Sequence, residues 1–354
     1  MENHILGRLK SKREYFELPI AASTTTPDDI YRNRIEGLND MNSIVITNGT
    51  VAFSTETEPG YYSALRDVNF EIERGEFVAV VGANGSGKST LAKVVSRLLP
   101  LSRGTIKWPN VFETLGRVEK GTASGLSDSP TATMPVQMVF QNPDAQIVGE
   151  TVYEDICFGL ENFGIPADQM RTRAQQALKR VGLHVHLTQL VNNLSGGQKQ
   201  LLCIASCLAV GAQVLVFDEA TAMLNPAARQ RILELAQRLQ QDGVTILWVT
   251  QWLEEAAQAR RIVALQGGGI FFDGTPREFF YGTVSDSVSD SKTPSCEADG
   301  VITRAQTPCE LLQLKPPYVV EVSQALAASG TFLPVTPLTL QELAEGVQQL
   351  CQLQ

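Results

Sequence analysis

Apolar positions along this chain change period several times, and those changes divide it into elements. FVAVV, Phe77 to Val81, is a short continuous apolar run of the kind buried on both faces of a sheet. VLVF at 214–217 and TILWV at 245–249 are two more, and each is followed by a helical pattern, as FVAVV is by Thr90 to Leu99. Strands alternating with helices are the signature of a parallel sheet with crossover helices, so the expected fold is α/β. Ahead of these, Ser43 to Phe53 and Asp67 to Glu73 are strand-like.

Polar stretches supply the boundaries. Residues 1–42 contain STTTPDD and no clear period, which predicts a weakly structured extension. Between Pro109 and Pro135, KGTASGLSDSPTATM reads as a surface insertion with no visible chemistry. VSDSVSDSKTPSCEADG has linker composition over about 283–300 and sets off a tail, 301–354, with helical periodicity near its end.

Composition narrows the function classes. The 354 residues are 43% apolar and 19% charged, enough to bury a real core. A net charge of -9 argues against a surface built to coat nucleic acid, and the basic run Leu6 to Arg13 reads as a solvated tail. No window approaches the roughly 18 consecutive apolar residues of a membrane span. Met1 to Glu17 lacks the apolar core of a signal peptide, so a cytosolic chain is expected. The six cysteines form no C-x-x-C pair, which gives no sign of a disulfide framework or a zinc site. Cys203 and Cys207 share a helix face and are expected in the core, and His184 and His186 read as a solvated turn.

The chemistry begins at FVAVVGANGSGKST. Gly82-x-x-x-x-Gly87-Lys88-Ser89 follows a buried strand and opens a helix, the context a phosphate-binding loop requires. The loop runs through Asn84, Gly85 and Ser86 to Thr90, and its glycines let backbone N–H groups curl round a phosphate. Lys88 is placed to reach the outer phosphates and Ser89 to ligate Mg²⁺. VLVFDEA adds Asp218 as a second metal anchor and Glu219 to polarise the attacking water. In NNLSGGQKQ, Ser195, Gly196 and Gly197 open a helix, leaving N–H groups and a hydroxyl for another phosphate contact.

Together with the phosphate loop, Leu194 to Gln198 resembles the ABC ATPase family, whose LSGGQ signature it matches letter for letter. The resemblance runs from about Ser43 to Gly282. It implies a P-loop ATPase domain over 43–282 with antiparallel N-terminal strands, a parallel core sheet and a helical signature subdomain over about 142–210. It also implies a head-to-tail ATPase pair, in which ATP lies between one subunit's phosphate loop and the other's Ser195, Gly196, Gly197 and Gln198. Gln141 in VFQNPD matches the glutamine that contacts Mg²⁺ and water and senses the transmembrane partner. Asn225 stands where the loop after the carboxylates usually has aspartate. Thr55 occupies the position of the base-stacking tyrosine, with Tyr61 or Tyr62 as substitutes or plain surface aromatics. TQWLEEA fits the switch pattern T-H-x-x-x-E-A with Gln251 in place of histidine, a group that donates a hydrogen bond but does not titrate. A helix cap is the alternative role for Gln251.

QNPDAQIVGETVYEDICFGLEN resembles the energy-coupling factor ATPases, which drive uptake of vitamins and of cobalt or nickel. Thr151 and Glu154 have capping-box spacing and open a helix with Val152, Ile156, Leu160 and Phe163 near one side. The resemblance implies that this passage meets a transmembrane coupling subunit, with a separate membrane subunit choosing the substrate. It implies that 301–354 helps hold two ATPases together and that the chain works at the cytoplasmic face of the membrane. Gln251 and Asn225 favour a heterodimer with a second ABC ATPase over a homodimer. A catalytically weak nucleotide-binding partner and a non-transport ABC ATPase stay as alternatives.

Overall fold

The computed structural model describes residues 43–54, 61–108, 136–282 and 306–353. The extension 1–42, the insertion over 109–135, the linker over 283–300 and Thr55 lie outside them.

Two sheets organise the described chain. In the first, β1 (Ser43–Ser54) pairs antiparallel with β2 (Tyr61–Glu73) on one side and β4 (Arg103–Lys107) on the other. The second has the order β5-β6-β7-β3-β8-β9, with β3 (Phe77–Val81), β5 (Val136–Val139), β6 (Val214–Asp218), β7 (Thr245–Val249), β8 (Arg261–Gln266) and β9 (Gly269–Gly274). All its neighbours are parallel except β8 and β9. Strand β2 starts six residues before the expected Asp67, because Phe53 and Val51 find partners in Tyr62 and Leu65. β4 escapes the sequence pattern because it is an exposed strand with no alternation.

The continuous apolar runs have the physical reason the sequence suggested. On β3, Phe77, Ala79 and Val81 enter one core while Val78 and Val80 enter the other. Leu215 and Phe217 on β6 and Ile246 and Trp248 on β7 share the first core, and Val216, Leu247 and Val249 the second. A strand buried on both faces has no polar side to alternate. The second core holds α1 (Lys88–Val95) and the antiparallel sheet. The first holds the helical part: α2 (Pro143–Gln146), α3 (Val152–Asn162), α4 (Ala167–Val181) and α5 (Gly196–Ala209). α6 (Pro226–Gln241) and α7 (Leu253–Ala256) follow β6 and β7 on that same face.

α3 starts with the expected capping box between Thr151 and Glu154. Its apolar stripe points inward, with Val152, Ile156 and Leu160 fully buried and Phe163 packed against the core. Cys203 and Cys207 are buried as expected. The C-terminal residues reach the same core through α8 (Pro276–Tyr281), α9 (Pro308–Leu311) and α10 (Tyr318–Ala328), where Phe280, Cys309 and Val320 are buried. Arg277 pairs with Glu342 on α11 (Leu340–Leu353) at 2.9 Å, and Tyr281 donates to the Pro337 carbonyl at 2.7 Å.

Candidate nucleotide site

The carboxyl ends of β3, β6 and β7, three adjacent strands, carry the phosphate loop, the carboxylates and Gln251. Ligands sit at this edge in open α/β sheets. The loop after β3 turns through Asn84 and Gly85, both exposed, and enters α1 at Lys88. Gly82 has φ +143°, and a Cβ there collides with the carbonyl oxygen of Leu265. Gly87 has φ +107°, and a Cβ there stands 2.6 Å from the Ala64 carbonyl oxygen. Only glycine fits either place. Gly87 gives α1 no side-chain cap and the first turn of the helix itself holds no acidic residue, so its leading N–H groups have no side-chain cap of their own.

Lys88 is buried and curls back on its own loop, donating to the carbonyls of Gly82 at 2.9 Å and Ala83 at 3.0 Å. Burial lowers its pKa, with Glu219 and Asp218 opposing that shift. Ser89 donates from Oγ to Asp218 Oδ1 at 2.8 Å, joining α1 to the end of β6. Burial raises the Asp218 pKa, the Ser89 hydrogen bond opposes this and the charge of Glu219 adds to it. A hydroxyl and a desolvated carboxylate crowded by a second carboxylate form a donor set that suits a hard cation. Ser86 Oγ is buried with no hydrogen-bond partner, and Thr90 is half-buried on the helix.

Glu219 has φ +51°, a left-handed conformation uncommon for a non-glycine residue. Its N–H donates to the Val249 carbonyl at 2.9 Å, so the backbone leaves the strand line while tied to β7. The side chain meets Gln251, whose Nε2 lies 2.8 Å from both Glu219 oxygens. Gln251 caps no helix here. The helix after β7 has Trp252 at its N-cap, without a side-chain hydrogen bond.

Ser195 caps α5, with its Oγ accepting from Gln198 N at 3.3 Å and Gln198 Oε1 accepting from Ser195 N at 2.9 Å. Ser195, Gly196, Gly197 and Gln198 line an open cleft of about 340 Å³ together with Met223, Asn225 and Arg231. Asn225 caps α6 by accepting from Ala228 N at 2.8 Å, a role aspartate fills equally well. Of the two tyrosines, Tyr62 is the one beside the phosphate loop, its hydroxyl 3.3 Å from the Gly85 carbonyl.

Gln141 is exposed just past β5, and the segment carrying it is held from behind by residues the sequence pattern did not single out. Gln200, fully buried, donates to the Phe140 carbonyl at 3.0 Å, and Gln146 accepts from Phe140 N at 3.0 Å. Asp155, buried in α3, accepts from Val148 N at 2.9 Å, Gly149 N at 3.4 Å and Ser206 Oγ at 3.0 Å. Burial raises its pKa and these hydrogen bonds oppose the rise. Asp155→Ala is expected to cost about 2–4 kcal/mol, because it strands buried donors. Asp155→Asn keeps an acceptor for the two N–H groups, and Ser206 can turn its hydroxyl, so chemical denaturation should place it within about 1 kcal/mol of the parent.

Several known proteins are similar to this chain. Residues 65–222 match the family model described as ABC transporter. An energy-coupling factor transporter ATP-binding protein EcfA1 of Symbiobacterium thermophilum is 39% identical over 288 residues, 81% of this chain and 89% of the relative. The protein of the same name from Clostridium novyi is 36% identical, covering 88% of this chain and all of the relative. Among solved structures, cbiO1 of Clostridium perfringens, described as part of the ABC transporter complex cbiONQ, superposes with TM-score 0.55 and 28% identity over 68% of this chain and 91% of its own. A dimeric ATP-binding cassette in a post-hydrolysis state with ADP and Pi gives TM-score 0.54 and 26% identity over 66% of this chain and 99% of its own.

Proposed function

Because this chain belongs to the energy-coupling factor transporter ATP-binding proteins of the ABC transporter family, we propose that it binds and hydrolyses ATP to power membrane import of a micronutrient, a vitamin or a transition-metal ion. The observation that carries the reading is the convergence of Lys88, Ser89, Asp218, Glu219 and Gln251 at one sheet edge, linked by the Ser89–Asp218 and Gln251–Glu219 hydrogen bonds.

In this reading the N–H groups of Gly85 to Thr90 cradle the phosphates, and Lys88 exchanges its two loop carbonyls for phosphate oxygens. Ser89, Asp218 and Gln141 would hold Mg²⁺, which would neutralise phosphate charge. Glu219 polarises the attacking water, and Gln251 orients Glu219 and donates to the γ-phosphate. Tyr62 flanks the base. Ser195 to Gln198 complete the ATP site of the opposing ATPase. The Ser195 hydroxyl has its proton free for that contact, since it acts only as an acceptor in the cap.

The partner is a second, different ABC ATPase. In a homodimer every site would carry Gln251 and Asn225, whereas a heterodimer lets the other chain keep a histidine and an aspartate. Among the described residues no helix is long and apolar enough to cross a membrane. In this reading attachment at the cytoplasmic face runs through a transmembrane coupling subunit, with a further membrane subunit holding the solute.

The docking surface is the exposed part of Gln141 to Phe163, not the apolar stripe of α3, which is core. Asp144 lies on that surface and pairs with Lys199 at 2.6 Å. Asp144→Arg alone breaks this pair, which at an exposed site costs at most about 1 kcal/mol. The charge-swapped Asp144→Lys, Lys199→Asp double variant keeps a pair while reversing the surface. Co-purification from detergent-solubilised membranes should lose the membrane subunits with both variants, at unchanged ATP binding. Full recovery of the complex with both would place the docking surface elsewhere.

A further inference from the structure

We propose that Glu255 is a positioning residue for hydrolysis, a buried hub that fixes Gln251, and through it Glu219, while anchoring the loop that leads to Asn225. The proposal rests on the reading of Glu219 as the group that polarises water.

Glu255 is 2% exposed on α7, behind the nucleotide edge. Its Oε1 accepts from Thr221 Oγ1 at 2.7 Å. Its Oε2 accepts from Thr250 Oγ1 at 2.6 Å and from the indole Nε1 of Trp248 at 2.9 Å. Each donor belongs to a piece of the site. Thr221 is two residues past Glu219 and starts the loop ending at Asn225. Thr250 directly precedes Gln251, and its hydroxyl also accepts from Trp252 N at 3.0 Å, so the turn carrying Gln251 is held on both sides. Trp248 is locked in the sheet core against Phe217 and Phe77, with ring centroids 4.7 and 5.9 Å away.

A carboxylate that receives donors from both β6 and β7 segments works as a rivet. It sets the separation of the Glu219 and Gln251 backbones, and their side chains then meet at 2.8 Å. A neutral amide in its place makes the Thr221 hydroxyl turn from donor to acceptor and removes the charge that draws the three donors together and faces Arg229, so the two loops are held less tightly. Arg229 adds a means of response. Its Nε, buried without a hydrogen bond, stands 3.8 Å from Glu255 Oε1, and its guanidinium lies 3.7 Å over the ring of Trp252. Arg229 sits on α6 one turn past Asn225, so movement of the 221–225 loop reaches Glu255 through Thr221 and through this ion pair.

The test uses the chain purified with the ATPase that accompanies it, and follows the component of ATP hydrolysis that Lys88→Ala removes. Glu255→Gln should lower kcat of that component about 10- to 100-fold, the scale of a slightly misplaced catalytic group, with KM for ATP within about threefold of the parent. In a Gln251→Ala background the same substitution should cost less than about threefold, since the group it positions is gone. A kcat within twofold of the parent, or an equal loss in both backgrounds, overturns the proposal. Should Glu255→Gln fail to fold, Thr250→Val removes a single donor and is read the same way. Glu219→Gln measured alongside separates the two layers. Full activity there overturns the reading of the site and the proposal with it, whereas loss there beside a parent-like Glu255→Gln overturns the positioning role alone.

Discussion

Lys88→Ala is expected to weaken ATP binding about 10- to 100-fold, measured by titration with a fluorescent ATP analogue. The ammonium is buried at the mouth of the phosphate loop, its hydrogen-bond acceptors among the described residues being two carbonyls of that loop. A charge-assisted hydrogen bond to phosphate is worth roughly 1.5–3 kcal/mol net, and each 1.4 kcal/mol is a factor of ten. Binding at parent affinity would remove the phosphate-loop assignment. Fold stability should hardly fall, since burial already disfavours the charged amine and the alanine relieves it.

Glu219→Gln has the opposite profile. ATP affinity should stay within a few-fold, because the carboxylate meets Gln251 and not the phosphate loop, while hydrolysis should slow by about 10²–10⁴, the usual contribution of a positioned general base. ATP then persists, and the closed pair of ATPases should accumulate on gel filtration with ATP and Mg²⁺. The left-handed backbone at Glu219 is unchanged by the amide, so thermal stability should match the parent.

The groups with the largest expected effects are also those most legible in the sequence. Gly82, Gly87 and Lys88 share one strand–loop–helix turn, and Asp218 and Glu219 follow four apolar residues directly, so spacing along the chain alone places them on the sheet edge. Gln251 was readable for the same reason. What was hidden depends on contacts across long separations. Gln200 and Phe140 lie 60 residues apart, Ser206 and Asp155 51, and Glu255 and Thr221 34. A glutamine or glutamate on a helix looks like a solvated residue until the fold buries it among donors. At α3 the apolar stripe fills the core, so the periodicity by itself says nothing of docking. An apolar stripe gives the direction of burial but not whether this chain or another supplies the cover.

The two substitutions at Gln251 and Asn225 bear on a single question, whether this chain runs its own site. Gln251 still donates to Glu219, and Asn225 still caps α6, so the structure retains both local roles while losing a titratable group and a charge. Removing a preorganised electrostatic contact outright slows chemistry by about 10²–10³, and a glutamine that keeps its hydrogen bond should cost less. A slow but working site beside a faster one in the partner is the expected state.

Single-turnover phosphate release from ATP, by the complex of this chain with its accompanying ATPase, tests that account most directly. The parent complex should release phosphate in two phases. Glu219→Gln introduced in this chain alone should abolish the slow phase and leave the fast one, and Gln251→His should accelerate the slow phase toward the fast. Two phases unchanged by Glu219→Gln would contradict hydrolysis at this site.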